Sequence, residues 1–512
     1  MAATRSFCRP FASAILRFHL NTTTIGAQTR CFADEPKDKK DLIKSKDKEI
    51  TEPPHIHAAP GEYQDIKKIF KEQCEGLITG KSELRTSDAY HYLKESDIVI
   101  VGGGALGLAT AYWLKVRNPL AFHVTVVEQD PCYKQAATTL SVGGIRQQFS
   151  LPENIMLSMF TAQFLREIKD HLSVMDFDPP DIQFNPQGYL FLATEAGKEI
   201  LHENNKIQKN CGAKVQLMNQ AALKEKFPWM KSDDICYGSY GLENEGWFDP
   251  WLYVAALKTK LASFGVQFVQ GEVVGFRKQK KLTRHAHRTI IEMVNVRLPD
   301  QSIFPIKIAK VVNCAGPWSG KVAEMAGIGC RSEDSSSLIV PVPVEPRKRY
   351  VYMFHCPDGP GFDMPFLVDP SGVYVRREGL GGHYLCGRSP VDDRSEPSTQ
   401  DLEVDHDYFD EHVWPVLAQR VPAFERLKVK SAWGGYYDYN YFDQNLIIGN
   451  HPYFDNFYMA TGCSGHGIQQ SAGIGRAMAE LIMDEEFKTI DLSRFSFDRI
   501  LEDKPYPERN II

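Results

Sequence analysis

Twelve residues, Ser96-Asp-Ile-Val-Ile-Val-Gly102-Gly-Gly104-Ala-Leu-Gly107, leave this chain few choices of fold. Residues 97–101 are a charge-bounded, β-branched run that reads as a short buried strand. Gly102, Gly104 and Gly107 follow directly in G-x-G-x-x-G spacing. Residues 105–117 then place Leu106, Ala109, Trp113 and Val116 on one helical face. Gly102 permits the tight turn. Gly104 lets a pyrophosphate approach the backbone, and Gly107 lets the helix pack on the strand. From Ala105 the helix N-terminus offers unpaired N–H groups and a positive dipole end to that phosphate. A second strand, residues 123–127, ends at Glu128, where a carboxylate accepts from both hydroxyls of a ribose. Gln129 and Asp130 follow, with no Arg to hold a 2′-phosphate. The pattern therefore predicts a dinucleotide site without that phosphate. The same letters do not suit a bilayer. The uncharged stretch 98–114 is shorter than the ~20 residues needed, and its glycine turn would leave backbone groups unpaired in lipid.

Charge and cysteine usage remove other function classes. Lys+Arg 59 against Asp+Glu 65 gives a net charge of −6, which argues against a dedicated nucleic-acid binder. An aromatic fraction of 11% is too high for a disordered chain. The eleven cysteines contain no C-x-x-C pair, so no metal site is expected and the thiols read as reduced. Residues 1–33 carry Arg5, Arg9, Arg17 and Arg30 and no acid, in a Ser, Thr, Ala and Phe-rich context. That composition predicts a mitochondrial transit peptide. Residues 34–60 read as a charged flexible linker. Residues 61–95 read as a helical extension, 96–485 as the body, and 486–512 as a C-terminal tail.

A second glycine turn lies far downstream. The apolar strand 457–461 runs into Gly462-Cys-Ser-Gly465-His466-Gly467-Ile468, and a helix follows with Ile474, Ala477, Met478, Leu481 and Ile482 on one face. Between the two turns, residues 309–313 form a strand ending in Cys314-Ala315-Gly316-Pro317. Another strand starts at 265–271 and leads to Glu272-Val273-Val274.

Taken in order, VGGGALGLATAYWL, VTVVEQD, VVNCAGPWSG and LIIGNHPYFDNFYMATGCSGHGIQQSAGIGRAMAELI resemble the D-amino-acid oxidase superfamily of FAD enzymes. That superfamily includes glycine oxidase, sarcosine oxidase and dimethylglycine dehydrogenase. The resemblance implies an α/β fold: a discontinuous Rossmann-type FAD domain with a parallel sheet, plus a mostly antiparallel α+β substrate domain. The FAD domain would take about residues 96–180, 240–340 and 430–485. Strands at 189–193, 349–354, 372–376 and 384–388 fit the second domain. It also implies FAD contacts at Gly102, Gly104, Ala105, Gly107, Glu128, Val274, Ala315, Gly316, Gly462, Gly465, His466, Gly467 and Ile468.

Departures from the family pattern carry expectations of their own. Relatives that attach FAD covalently use a His after the second strand or a Cys before the last flavin strand. Here the matching stretches read Ala-Thr-Thr-Leu-Ser and Trp433-Gly-Gly-Tyr436-Tyr437, so FAD is expected to be non-covalent, with Cys463 a packing thiol. The oxidases place a Lys near the flavin edge, and Leu385 stands at that position. A dehydrogenase is therefore expected, with Arg388 or His466 as alternative cations. Arg146, Arg349 and Arg388 are candidate anchors for a substrate carboxylate, because a guanidinium fork matches one. Tyr436, Tyr437 and His466 are candidate pocket residues. Four further segments, TLSVGGIRQQFSLPENI, ENEGWFDPW, PVEPRKRYVYMFHCP and SAWGGYYDYNYFDQN, resemble a mitochondrial branch of the superfamily that serves assembly of respiratory complex I. That resemblance implies a matrix location, with peripheral contact to the inner membrane allowed. It implies complex I subunits or assembly intermediates as partners beside a small amine or amino acid. The alternative is a non-catalytic, FAD-stabilised binding protein for those subunits.

Overall fold

The apolar run around Val99 forms an inner strand of a sheet buried on both faces. This is seen in a computed structural model that describes residues 94–510 apart from 283–286, 331–338 and 391–392. The expected transit peptide, linker and nearly all of the helical extension lie outside the described residues. The described residues belong to one compact unit, Leu84–Ile512. Its strands are β1 (Glu95–Val101), β2 (Val124–Glu128), β3 (Gly144–Ile145), β4 (Tyr189–Ala193), β5 (Val215–Asn219), β6 (Tyr237–Gly241), β7 (Gly246–Trp247), β8 (Gln267–Gln270), β9 (Glu272–Leu282), β10 (His287–Arg297), β11 (Ile303–Asn313), β12 (Val344–His355), β13 (Phe366–Val368), β14 (Tyr374–Glu378), β15 (His383–Gly387), β16 (Lys428–Asn440), β17 (Ile447–Asn450) and β18 (Phe457–Thr461). The longer helices are α1 (Ala105–Arg117), α2 (Pro152–Arg166), α3 (Pro250–Ser263) and α4 (Ser471–Asp484).

The first sheet runs β17-β18-β11-β1-β2-β8, parallel from β18 through β8, with β9 and β10 added antiparallel beside β11. Alternation along β1 explains its continuous apolarity. Ile98 and Ile100 enter the core with Leu108, Leu257 and Ile474, while Val99 and Val101 enter the opposite core with Val311, Ile328 and Phe457. Helices α1 and α4 cross closely. A Cβ at Gly475 would lie 2.5 Å from the carbonyl carbon of Ala109, and Trp113 Nε1 donates to Ala472 O at 2.8 Å. Each fully buried large apolar side chain at that crossing contributes about 1.5–3 kcal/mol.

The second sheet runs β16-β12-β15-β14-β13-β4-β6-β5 and is antiparallel except between β13 and β4. Leu190, Tyr352, Val375 and Cys386 point to its far core. Tyr189, Phe366 and Tyr374 point the other way, toward a cavity shared with the first sheet. The domain boundary expected near residue 430 falls later. Strand β16 pairs with β12 from Lys428 to Asn440, so it belongs to the second sheet.

Residues 486–510 of the C-terminal tail pack onto the body. Leu492, Phe495, Phe497 and Ile500 are buried, and Arg499 forks onto Asp443 at 2.7 and 3.0 Å. Asp443 also accepts from Asn440 Nδ2 at 2.9 Å and from the Tyr506 N–H at 3.0 Å. Asp443→Ala would leave the Arg499 charge buried and unpaired, at a cost of about 3–5 kcal/mol. The expected result is a lowered denaturation midpoint, with proteolysis starting in residues 486–510.

Candidate active site

The first glycine turn is locked from behind and open in front. Gly102 sits at φ +104°, where a Cβ would come within 2.3 Å of Cys314 O, and a Cβ on Gly107 would lie 2.0 Å from Gly102 O. These two glycines are required by packing. Gly104 is different: a Cβ there meets only Thr138 Oγ1, at 3.1 Å, and the residue lines the cavity. Helix α1 has no acid in its first turn and no side-chain cap. Its Ala105 N–H donates to Thr138 Oγ1 at 3.1 Å. At the end of β2, Glu128 accepts from the Gly103 N–H at 2.8 Å and the Asp130 N–H at 2.9 Å. Burial pushes its carboxyl pKa up, against the pull of those two bonds. Tyr133 OH closes the turn on Gly103 O at 2.9 Å.

The second turn forms the other end of the cavity. Gly462 and Gly465 adopt φ +72° and +94°, which glycine tolerates without strain. Asp438 on β16 clamps the turn. Its carboxylate accepts from the Cys463 N–H at 2.8 Å and its carbonyl from the Ser464 N–H at 3.0 Å. Burial lifts the Asp438 carboxyl to about 6. The Cys463 thiol is buried and pushed well up, and it is not part of the cavity wall. His466 reaches that wall although only 2% exposed, and neither ring nitrogen has a partner among the described residues. Burial, then the Arg146 charge, bring its pKa down to about 4, so the ring is neutral at physiological pH.

Between the turns runs a cavity of about 850 Å³. It is floored by the first sheet and roofed by the second. Gly102, Gly104, Ala105, Glu128, Ala315, Gly316, Gly465, His466, Gly467 and Ile468 line it, with Arg146, Arg349, Arg388, Tyr436 and Tyr437. Gly107 and Gly462 lie behind the wall and shape the turns. Val274 does not reach the cavity wall, whereas its neighbour Val273 does. Gly271, Glu272 and Val273 line the cavity in succession. Leu385 also needs correction. It is buried on the cavity-facing side of β15, opposite Met353 and Arg376, but does not reach the wall. The sequence reading missed Tyr189, Phe366 and Tyr374, of which the first two stack at 4.2 Å. The alternation of β4 marks Tyr189 as sharing a face with Phe191, but both faces are apolar, so nothing local says which looks inward.

The three arginines are not equivalent. Arg349 forks onto Glu396 at 2.7 and 2.8 Å and donates to Tyr437 OH at 2.8 Å, so its charge is met. Arg388 is held by the Ser371 and His412 carbonyls, each at 3.1 Å. Arg146 is 2% exposed and donates to Gln148 O at 2.8 Å and Asn510 O at 2.5 Å. Its guanidinium lies 4.1 Å from the Phe149 ring centre. No carboxylate among the described residues pairs with it directly. Burial lowers its pKa, opposed in turn by Tyr189, Glu508 and Glu245.

The residues present fit FAD. The N-terminus of α1, with no acid in its first turn, suits a pyrophosphate, Glu128 suits a ribose, and a Cβ position at Gly316 projects into open space. The comparisons agree. A protein from Xenopus laevis, "FAD-dependent oxidoreductase domain-containing protein 1", is 53% identical over 432 residues, covering 82% of this chain and 85% of that one. Mouse mitochondrial sarcosine dehydrogenase is 24% identical over 451 residues, covering 84% of this chain and 44% of its own length. Among solved structures, L-proline dehydrogenase from P. horikoshii matches with a TM-score of 0.67 at 24% identity, covering 81% of this chain and all of that one. The family model described as FAD dependent oxidoreductase (DAO) matches residues 97–481, and this chain belongs to that family.

Proposed function

We propose that this chain is a dehydrogenase for a small amine that carries a carboxylate, an amino acid or an N-methylated one, with FAD held without a covalent bond. The observation that carries the reading is Arg146: a buried cation at the cavity wall with no carboxylate partner among the described residues. Bound FAD supplies the acceptor for a hydride equivalent. The chain supplies orientation. Arg146 holds the carboxylate, and the stacked rings of Tyr189 and Phe366 exclude water from the reacting end. Neutral His466 offers a bare ring nitrogen to a substrate N–H.

Two experiments test the reading. Acid precipitation is expected to release all the flavin, because the stretch after β2 has no His and Cys463 is behind the wall. Flavin that stays with the precipitate would overturn non-covalent binding. The photoreduced protein is expected to reoxidise slowly in air. Oxygen activation needs a nearby positive charge. Leu385 supplies none, His466 is neutral, Glu396 meets the charge of Arg349, and acetate bound at Arg146 during the measurement meets that charge too, so Arg388 is the cation to replace if the reaction is fast. Fast reoxidation would sink the dehydrogenase reading.

The proposal places the chain in the mitochondrial matrix, in service of complex I assembly. It rests there on the acid-free composition of residues 1–33 and on the segments cited above. Depletion is expected to lower assembled complex I. Rescue by an Arg146→Met variant would favour the pure binding role over catalysis.

A further inference from the structure

Four buried polar side chains from four stretches of chain gather behind the Arg146 wall: Arg146, Glu245, His466 and Glu508. Glu508 is the most distant in sequence. It accepts from the Ser150 N–H at 2.7 Å, the Leu151 N–H at 3.2 Å and Asn154 Nδ2 at 2.9 Å. It also accepts from the Asn510 N–H at 3.0 Å, which turns the chain back toward the cavity. Asn510 then binds three ways. Its Nδ2 donates to Gln148 O at 3.0 Å, its Oδ1 accepts from Asn204 Nδ2 at 3.1 Å, and its carbonyl accepts from Arg146 Nη2.

We propose that Glu508–Asn510 is a clasp that positions Arg146, so that this segment sets the affinity of the cavity for a carboxylate. The inference rests on the reading of Arg146 as the carboxylate anchor. A brace that served only stability would need nothing beyond the main-chain bonds of Ser150 and Leu151. This one places a carbonyl on the guanidinium of the cavity's buried cation. An Arg side chain has several rotatable bonds, and an anchor works best when its rotamer is fixed before the ligand arrives. Gln148 O fixes one Nη and Asn510 O the other. The fork then meets a ligand with little freedom left to lose. Asn510 and Glu508 are positioning residues here and touch no substrate.

The test uses the full-length FAD-loaded protein and three variants: Asn510→Ala, a chain ending at residue 509, and Arg509→Ala. Arg509 is exposed, and among the described residues its side chain reaches only the surface carboxylate of Glu203, so its loss should change nothing. Acetate binding is read from the flavin absorption spectrum, with acetamide as the uncharged probe. Labelling of Arg146 by phenylglyoxal is read by peptide mass spectrometry. The chain ending at 509 is expected to keep its FAD, to bind acetate at least tenfold more weakly with acetamide unchanged, and to label at Arg146 at least tenfold faster. Asn510→Ala should move both readouts the same way by less, and it carries the test if the shortened chain does not fold. Unchanged labelling and unchanged acetate affinity in a variant that keeps FAD would overturn the clasp. If acetate does not bind the unaltered protein, the carboxylate reading falls, and labelling alone then decides the clasp.

Discussion

Replacing Gly104 by valine is expected to give a folded protein without flavin. The reason is the asymmetry of the glycine turn. A side chain at Gly107 would sit 2.0 Å from Gly102 O, and one at Gly102 would both meet Cys314 O and hold a positive φ. Those substitutions strain the backbone whether or not a ligand is present. At Gly104 the backbone is extended, and the added Cβ meets a single hydroxyl oxygen at 3.1 Å. What the side chain fills is the approach to the N-terminus of α1, where a pyrophosphate would lie. Flavin content of the purified variant should fall below a tenth of the unaltered protein's, with the unfolding midpoint of the two apoproteins alike. A variant that stayed yellow at full stoichiometry would break the cofactor assignment. Gly107→Val offers the contrast: it is expected to fail at folding, because overpacking against a carbonyl has no flexible neighbour to absorb it.

The contrast between those two glycines shows what sequence carries and what it does not. Helix α1 spans 105–117 as read from the letters, because its signal is local: a strand, three glycines at fixed spacing and an apolar face. The two strands that end at Glu128 and Thr461 are legible for the same reason. Phase was harder. Val273 lines the cavity and Val274 does not, and the lining run of Gly271, Glu272 and Val273 follows no alternation that the letters could show. Partners were harder still. Glu396 meets Arg349 across 47 residues of sequence and Glu508 meets Ser150 across 358. No periodicity encodes such meetings. They follow from how two sheets close over one cavity, and they decide that the charge of Arg349 is already met.

Arg146→Met is expected to weaken acetate binding at least 100-fold while leaving acetamide binding unchanged. Losing one partner of a desolvated charge pair costs roughly 2–5 kcal/mol, which spans that factor. The same variant carries a second signature in pH. Glu245 is 1% exposed and accepts from the Gln147 N–H and Gln148 Nε2, each at 2.8 Å. Burial raises its carboxyl to about 7, and the Arg146 charge opposes that rise. An acid whose folded pKa lies above its unfolded value contributes stability below the unfolded pKa, and that stability is lost as pH rises through the folded one. For Glu245 the loss falls between about pH 4.5 and 7 and amounts to roughly 3 kcal/mol. Removing the guanidinium lifts the folded pKa further, so the loss should continue past pH 7. Unfolding midpoints of the two proteins should therefore keep a constant offset from pH 5 to near pH 7 and diverge from there toward pH 8. A parallel pair of curves would mean that Arg146 and Glu245 do not sense each other. Unchanged acetate affinity would mean that the cavity's anion site lies elsewhere, with Arg388 next to be tested.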